Sequence, residues 1–118
     1  MNHVLFGCTL NISRSPTAQR AFASYPGIET RSAGTSDEAN QPLTSELIRW
    51  AHLIVVMEPR HRDHVRSVFA SDLGERELVC LDIPDIYYFE DPRLLDLLYE
   101  KVPSILVRLP ARSEGSPA

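Results

Sequence analysis

Cys8 and Arg14 carry reactive side chains and bracket a short loop, Thr9, Leu10, Asn11, Ile12 and Ser13. An apolar run, Val4-Leu5-Phe6-Gly7, leads into Cys8, and Ser15-Pro16 opens an amphipathic segment. Serine at an N-cap with proline at the first helical position is a helix-start signal. The pattern predicts strand, loop and helix, with loop amides and the helix N-terminus converging on one small volume. Unpaired N–H groups and the helix dipole both favour an anion in such a volume. Thiols at helix N-termini beside a guanidinium ionise more readily than free ones, and the thiolate is the nucleophile. A guanidinium grips a phosphoryl group through two parallel N–H bonds. Cys8 therefore reads as a nucleophile toward phosphorus, forming a phosphocysteine, and Arg14 as the phosphoryl clamp. The Ser15 hydroxyl is read as capping the helix, as pointing at the sulfur, or as doing both.

Such a reaction needs a proton donor for the leaving oxygen and then a base for the hydrolytic water. Three carboxyls compete for that role: Asp82, Asp85 and Asp91. Asp91-Pro92 also reads as an N-cap followed by the first residue of a helix. Tyr87 and Tyr88, close to Asp85, are read either as a wall for an aromatic substrate or as cover for a sheet edge. Arg60, His61, Arg62 and His64 read either as lining the rim of the site or as a charged helix face, which is usually solvated. Cys80 falls within a strand and reads as a small buried residue rather than a redox partner.

The elements that position these residues follow from periodicity. Ala18, Ala21, Phe22 and Tyr25 form the apolar face of the first helix, stopped by Pro26-Gly27. Residues 28–32 alternate as a half-exposed strand closed by Ala33-Gly34, and 36–42 form a polar loop. Thr44 caps a short helix with Leu43 and Ile48 as a hydrophobic staple. Residues 53–57 read as a fully buried central strand. Pro59 starts a basic helix with Val65, Val68 and Phe69 on one face and Gly74 as its breaker. Residues 78–81 make a fourth strand, and Leu94, Leu95, Leu98 and Val102 stripe a last helix that Pro103 kinks or restarts. Alternating strands and helices predict a three-layer α/β domain with a four-stranded parallel sheet and helices on both faces. Its strands would end at Gly7-Cys8, Ser32-Ala33, Met57-Glu58 and residues 82–85, where open α/β sheets bind ligands.

Cys8-x5-Arg14-Ser15-Pro16 after a strand resembles the phosphate-binding loop of the low-molecular-weight protein tyrosine phosphatase family. The likeness continues through Arg31-Ser32-Ala33-Gly34-Thr35, Leu53-Ile54-Val55-Val56-Met57 and Ile83-Pro84-Asp85, to about residue 106. It is nearest to a short bacterial branch of predicted tyrosine phosphatases. The resemblance implies strand order 2-1-3-4 and a hydrolase of phosphotyrosine-type substrates, phosphoproteins among them. It implies that Asn11 holds the loop through side-chain to backbone bonds and that Ser32 bonds to the loop. It also favours Asp85 as the general acid, with Asp91 as the alternative. The chain departs from the family at Leu10, where Gly is usual, at Ser13, where a second Cys is common, and at Ile86, where Pro is usual. The connection from Ser32 to Leu53 is shorter than in typical members, losing pocket residues and a histidine that supports the loop.

At 118 residues with a net charge of −4, the chain reads as one domain, residues 1–109, with a disordered tail at 110–118. The charge argues against nucleic acid or an acidic membrane surface as partner. With neither a signal-like start nor a long apolar run, two distant cysteines read as reduced thiols in a cytoplasmic protein. No metal or cofactor is expected, and nothing in the sequence fixes the oligomeric state. Two other functions stay open: a phosphate or phosphoprotein binder without turnover, and an arsenate reductase that uses an external thiol.

Overall fold

A computed structural model describes residues 1–111. The chain runs β1 (Asn2–Cys8), α1 (Arg14–Ala21), β2 (Ile28–Gly34), α2 (Ser45–Trp50), β3 (Leu53–Val56), α3 (Pro59–Val68), α4 (Ala70–Leu73), β4 (Glu77–Cys80), α5 (Pro92–Lys101) and α6 (Pro103–Leu106). The strands form one parallel sheet in the order β2-β1-β3-β4, as the resemblance implied.

Strand alternation sorts the apolar side chains into two layers. Val4, Phe6 and Cys8 of β1 join Leu53 and Val55 of β3 in a core shared with Ala18 and Phe22 beside α1 and with Leu94 and Leu98 of α5. Leu5, Ile54 and Val56 face the opposite way, onto Ile48 of α2 and Val65 of α3. Every residue of β3 is buried, as expected of a strand covered on both faces. The central strands β1 and β3 therefore end side by side inside the protein, and the loops leaving their carboxyl ends are brought together.

Several boundaries differ from the sequence expectation. Helix α1 begins at Arg14 with Ser13 as N-cap, so Ser15 lies inside the first turn and does not cap it. The basic helix ends at Val68 and a separate turn of helix comes next, ended by Gly74 at φ +52°. Val68 is 60% exposed and takes no part in the apolar face, which Val65 and Phe69 supply. Cys80 is half-buried at the end of edge strand β4, not in its middle. Thr44 does cap α2, its hydroxyl accepting from the Leu47 amide, and Asp91 caps α5 ahead of Pro92. Pro103 starts α6. The carbonyl of Pro110 accepts a 2.7 Å bond from the Asn2 side chain, and residues 112–118 of the expected tail lie outside the described residues. No helix among the described residues is long and apolar enough to cross a membrane.

Gly34, at the end of β2, permits the closest approach in this framework. A Cβ there would stand 2.4 Å from the Thr9 carbonyl oxygen and 2.6 Å from the Ala39 Cβ. Backbone cannot yield as a side-chain tip can, so Gly34→Ala should cost about 1–3 kcal/mol of stability, read from urea unfolding midpoints. The mirror substitution at Gly27, where nothing lies within 4 Å of the added methyl, should not perturb the loop after β1, although its φ of +81° carries local strain.

Candidate active site

The loop between Cys8 and Arg14 is held from outside by the segment beyond β2. The Cys8 carbonyl accepts from the Thr35 amide at 2.8 Å, Thr9 from Ser36 at 3.0 Å and Leu10 from Asn40 at 3.1 Å. Among the described non-glycine residues, Asn11, Asp82 and Glu90 have positive φ. Leu10 is not one of them, so a side chain in place of the usual glycine meets no left-handed strain. Asn11 takes that conformation instead, at φ +57°, and asparagine tolerates it well.

The Asn11 side chain sits under the loop, 6% exposed, and bonds to side chains rather than to backbone. Its amide nitrogen donates to Ser15 Oγ and to Ser32 Oγ, each at 2.9 Å. Both serine oxygens thereby become acceptors toward Asn11 and must send their own protons elsewhere. Ser32 donates to Gln19 Oε1 at 2.5 Å. Ser15 has Cys8 Sγ at 3.0 Å and the Ala33 carbonyl at a longer 3.4 Å. The Ser15 proton therefore goes either to the sulfur or to the Ala33 carbonyl, and the shorter distance is to the sulfur.

Arg14 is 1% exposed, the largest fully buried side chain. Its Nη1 donates to Glu58 Oε2 at 2.5 Å and to the Ile83 carbonyl at 2.8 Å. Its Nε lies 3.7 Å from Asp85 Oδ1. Glu58 also accepts from Arg60 at 3.0 Å. Hydrogen bonds from Arg60 and Arg14 hold its carboxyl down at about 2, against the opposing effect of burial. A cavity of about 190 Å³ opens over these groups, lined by Cys8, Thr9, Leu10, Ile12, Ser13, Arg14 and Asp85.

The structure therefore gathers Cys8, Arg14, Asp85 and the loop residues, with Ser15 and Ser32 supporting them from below. Asp82 and Asp91 do not line this cavity. Asp82 meets the Cys80 thiol at 3.7 Å. Asp91 is buried beneath the start of α5, accepting from the Arg93 amide at 3.0 Å and from its guanidinium at 2.7 Å. Tyr87 and Tyr88 are not among the residues that line this cavity. Tyr87 packs against the main core beneath the Arg93 guanidinium, and Tyr88 is 63% exposed. The exposed apolar side chains that do line the cavity are Leu10 and Ile12.

Two further residues are bonded to the cradle. Glu58, the N-cap of α3, reads from the sequence only as a strand end, and His61 falls on a helix face expected to be solvated. His61 is in fact 1% exposed. Its Nε2 is 2.8 Å from Thr9 Oγ1, and its Nδ1 accepts from the Glu58 amide at 3.0 Å. A histidine thus reaches the loop from α3. Polar residues one helical turn after a buried strand end were the signal available.

No family model matches the sequence, and no curated protein matches it. Solved structures do. The low-molecular-weight protein tyrosine phosphatase of Streptococcus pyogenes superposes with a TM-score of 0.77 at 18% identity, covering 95% of each chain. Vibrio vulnificus Wzb, solved with benzylphosphonate, gives 0.74 at 24%, covering 92% of this chain and 99% of the other. The YwlE arginine phosphatase of Geobacillus stearothermophilus gives 0.68 at 22%, covering 96% and 100%. At these identities the likeness establishes the fold, which tyrosine and arginine phosphatases share.

Burial lowers the His61 pKa to about 4, with Arg14 and Arg60 pushing the same way and Glu58 and Asp85 opposing. The unfolded chain binds the extra proton from about pH 6.5 downward, so stability falls as pH drops from about 6.5 to 4, by up to ~3 kcal/mol. Glu58 contributes with the opposite native preference and in a lower window: its stabilisation is present above about pH 4.5 and is lost toward pH 2. Urea unfolding at pH 7 and pH 5 should show a smaller acid loss in His61→Gln than in wild type. Equal losses in both would refute the buried neutral imidazole.

Proposed function

We propose that this chain is a phosphomonoesterase that works through a phosphocysteine, with aryl phosphates of the phosphotyrosine type as substrates. The observation that carries the reading is one cavity in which a sulfur, a buried guanidinium and a carboxyl converge. Cys8 Sγ, with the Ser15 hydroxyl at 3.0 Å, attacks the phosphorus as its thiolate. The phosphoryl oxygens rest on the loop amides and on Arg14, whose Nη1 is already tied to Glu58 and the Ile83 carbonyl. The Nε side of the fork, near Asp85, remains toward the anion. As the S–P bond forms, the P–O bond to the leaving group breaks and Asp85 gives that oxygen its proton. The Asp85 carboxylate then takes a proton from water, the water oxygen attacks phosphorus, and sulfur leaves as thiolate held by Ser15. Inorganic phosphate departs and no metal enters the sequence of steps.

Leu10 and Ile12 favour an aryl leaving group. They are 41% and 57% exposed at the cavity, an apolar surface on which an aromatic ring lies without loss. A substrate guanidinium would be stripped of water against those same side chains.

Arsenate reduction by an internal thiol relay has little support in the geometry. Cys8 belongs to the core on one face of the sheet, while Cys80 packs on the cluster of the other face. The two thiols are also separated by the intervening strand β3.

The test is hydrolysis of p-nitrophenyl phosphate, a phosphotyrosine peptide and phosphoarginine by wild type, Cys8→Ser, Asp85→Asn and Asp91→Asn. Cys8→Ser should abolish turnover, and Asp85→Asn should lower kcat by about 10²–10⁴. Asp91→Asn should lower the melting temperature and leave kcat within a factor of about two, since its bonds belong to a helix cap. An unchanged rate in Asp85→Asn removes that residue from the mechanism. Phosphate protection against unfolding with no turnover of any substrate would make the chain a binding module. Faster turnover of phosphoarginine than of phosphotyrosine would overturn the aryl preference.

A further inference from the structure

We propose that the Thr9 hydroxyl donates a hydrogen bond to an oxygen of the bound phosphoryl group, and that His61 is the positioning residue that reserves its proton for that purpose. The proposal rests on the reading that the cavity receives a phosphoryl group, and it adds a side-chain donor to the loop amides and Arg14.

The constraint originates at the imidazole. His61 Nδ1 faces the backbone N–H of Glu58 at 3.0 Å. An N–H cannot accept, so Nδ1 must present its lone pair, and the neutral ring must carry its hydrogen on Nε2. That Nε2–H points to Thr9 Oγ1 at 2.8 Å, which makes the threonine oxygen an acceptor toward His61. The other tautomer, or the imidazolium, would set two N–H groups against each other at Glu58. With the ring 1% exposed, water has no room to relieve that conflict.

A hydroxyl that accepts from a locked donor keeps one proton to give. Thr9 lines the cavity together with Cys8 and Arg14. Its backbone is fixed as well, with the carbonyl accepting from the Ser36 amide at 3.0 Å. A phosphoryl oxygen in the cavity that Thr9 lines is the acceptor assigned to this hydroxyl. Ser15, also beside the sulfur, likewise accepts from a buried donor, the Asn11 amide at 2.9 Å.

Inorganic phosphate binding by calorimetry, turnover of p-nitrophenyl phosphate and imidazole ¹⁵N shifts together test this. Thr9→Val keeps the shape and removes the donor, and should weaken both phosphate affinity and kcat/KM by about tenfold. Thr9→Ser should restore most of both. His61→Leu should cost a similar factor, His61→Gln, whose amide can still donate to Thr9, should recover part of it, and the Thr9→Val/His61→Leu double variant should be no worse than either single one. The ¹⁵N shifts at pH 7 should show a hydrogen on Nε2 and none on Nδ1. Wild-type phosphate affinity and turnover in Thr9→Val, additive losses in the double variant, or an Nδ1–H tautomer would each overturn the proposal. Phosphate affinity and the tautomer are read without catalysis. A chain that binds phosphate Thr9-dependently yet hydrolyses nothing would refute the phosphatase reading and leave this inference standing.

Discussion

An arginine withdrawn from water keeps its charge, because its pKa is too high for deprotonation to offer an escape. Arg14 at 1% exposure must therefore be met by acceptors brought to it from elsewhere in the fold. Glu58 comes from the turn between β3 and α3, and the Ile83 carbonyl comes from the segment after β4. Losing one partner of such a buried pair typically costs about 3–5 kcal/mol, most of it the uncompensated charge left behind. The order β2-β1-β3-β4 makes the meeting possible. β3 lies beside β1, so Glu58 emerges next to the loop that leads into Arg14. The same demand for negative charge that recruits Glu58 on one side of the guanidinium is what the cavity offers a phosphoryl group on the other.

A second constraint acts on hydrogen bonds rather than charge. Asn11, Ser15 and Ser32 are all buried, and each must place its protons. Their bonds run from the Asn11 amide outward to two hydroxyls and from Ser32 on to Gln19, while Ser15 also meets Cys8 and the Ala33 carbonyl. Asn11 can serve because it accepts a left-handed backbone where a branched residue would be strained. Loop shape and sulfur environment are consequences of one side chain's geometry.

Much of this was legible in the chain. Runs such as Val4 to Cys8 and Leu53 to Met57 state their burial directly, because a strand covered on both faces has no polar alternation to obscure it. The strand, short loop and helix start around Cys8 and Arg14 were legible together, and the structure brings both residues to one cavity. Local rules misled at Ser15, where Ser-Pro reads as a cap; the helix in fact starts at Arg14, one residue before it. They also misled at Val68, where helical periodicity was extended past the break at Phe69. The roles of Glu58 and His61 were not legible, because the partners that tie them to the cradle lie 44 and 52 residues away in sequence. Tyr87 and Tyr88 illustrate the same limit, since an aromatic pair beside an acid reads as a pocket wall until the core is seen to claim one of them.

The bonds that run from Gln19 through Ser32 and Asn11 to Ser15, beneath the sulfur, join groups without net charge. Dissolved ions screen fields between separated charges, over a Debye length of about 8 Å at physiological ionic strength, and leave buried dipoles in contact almost untouched. The attraction that Arg14 exerts on an approaching anion and the support given to the sulfur therefore answer differently to salt. On the function proposed above, raising ionic strength would slow the arrival of the anion while the hydroxyl network beneath the sulfur keeps its bonds, so capture and chemistry would be separable by a variable that alters no covalent bond.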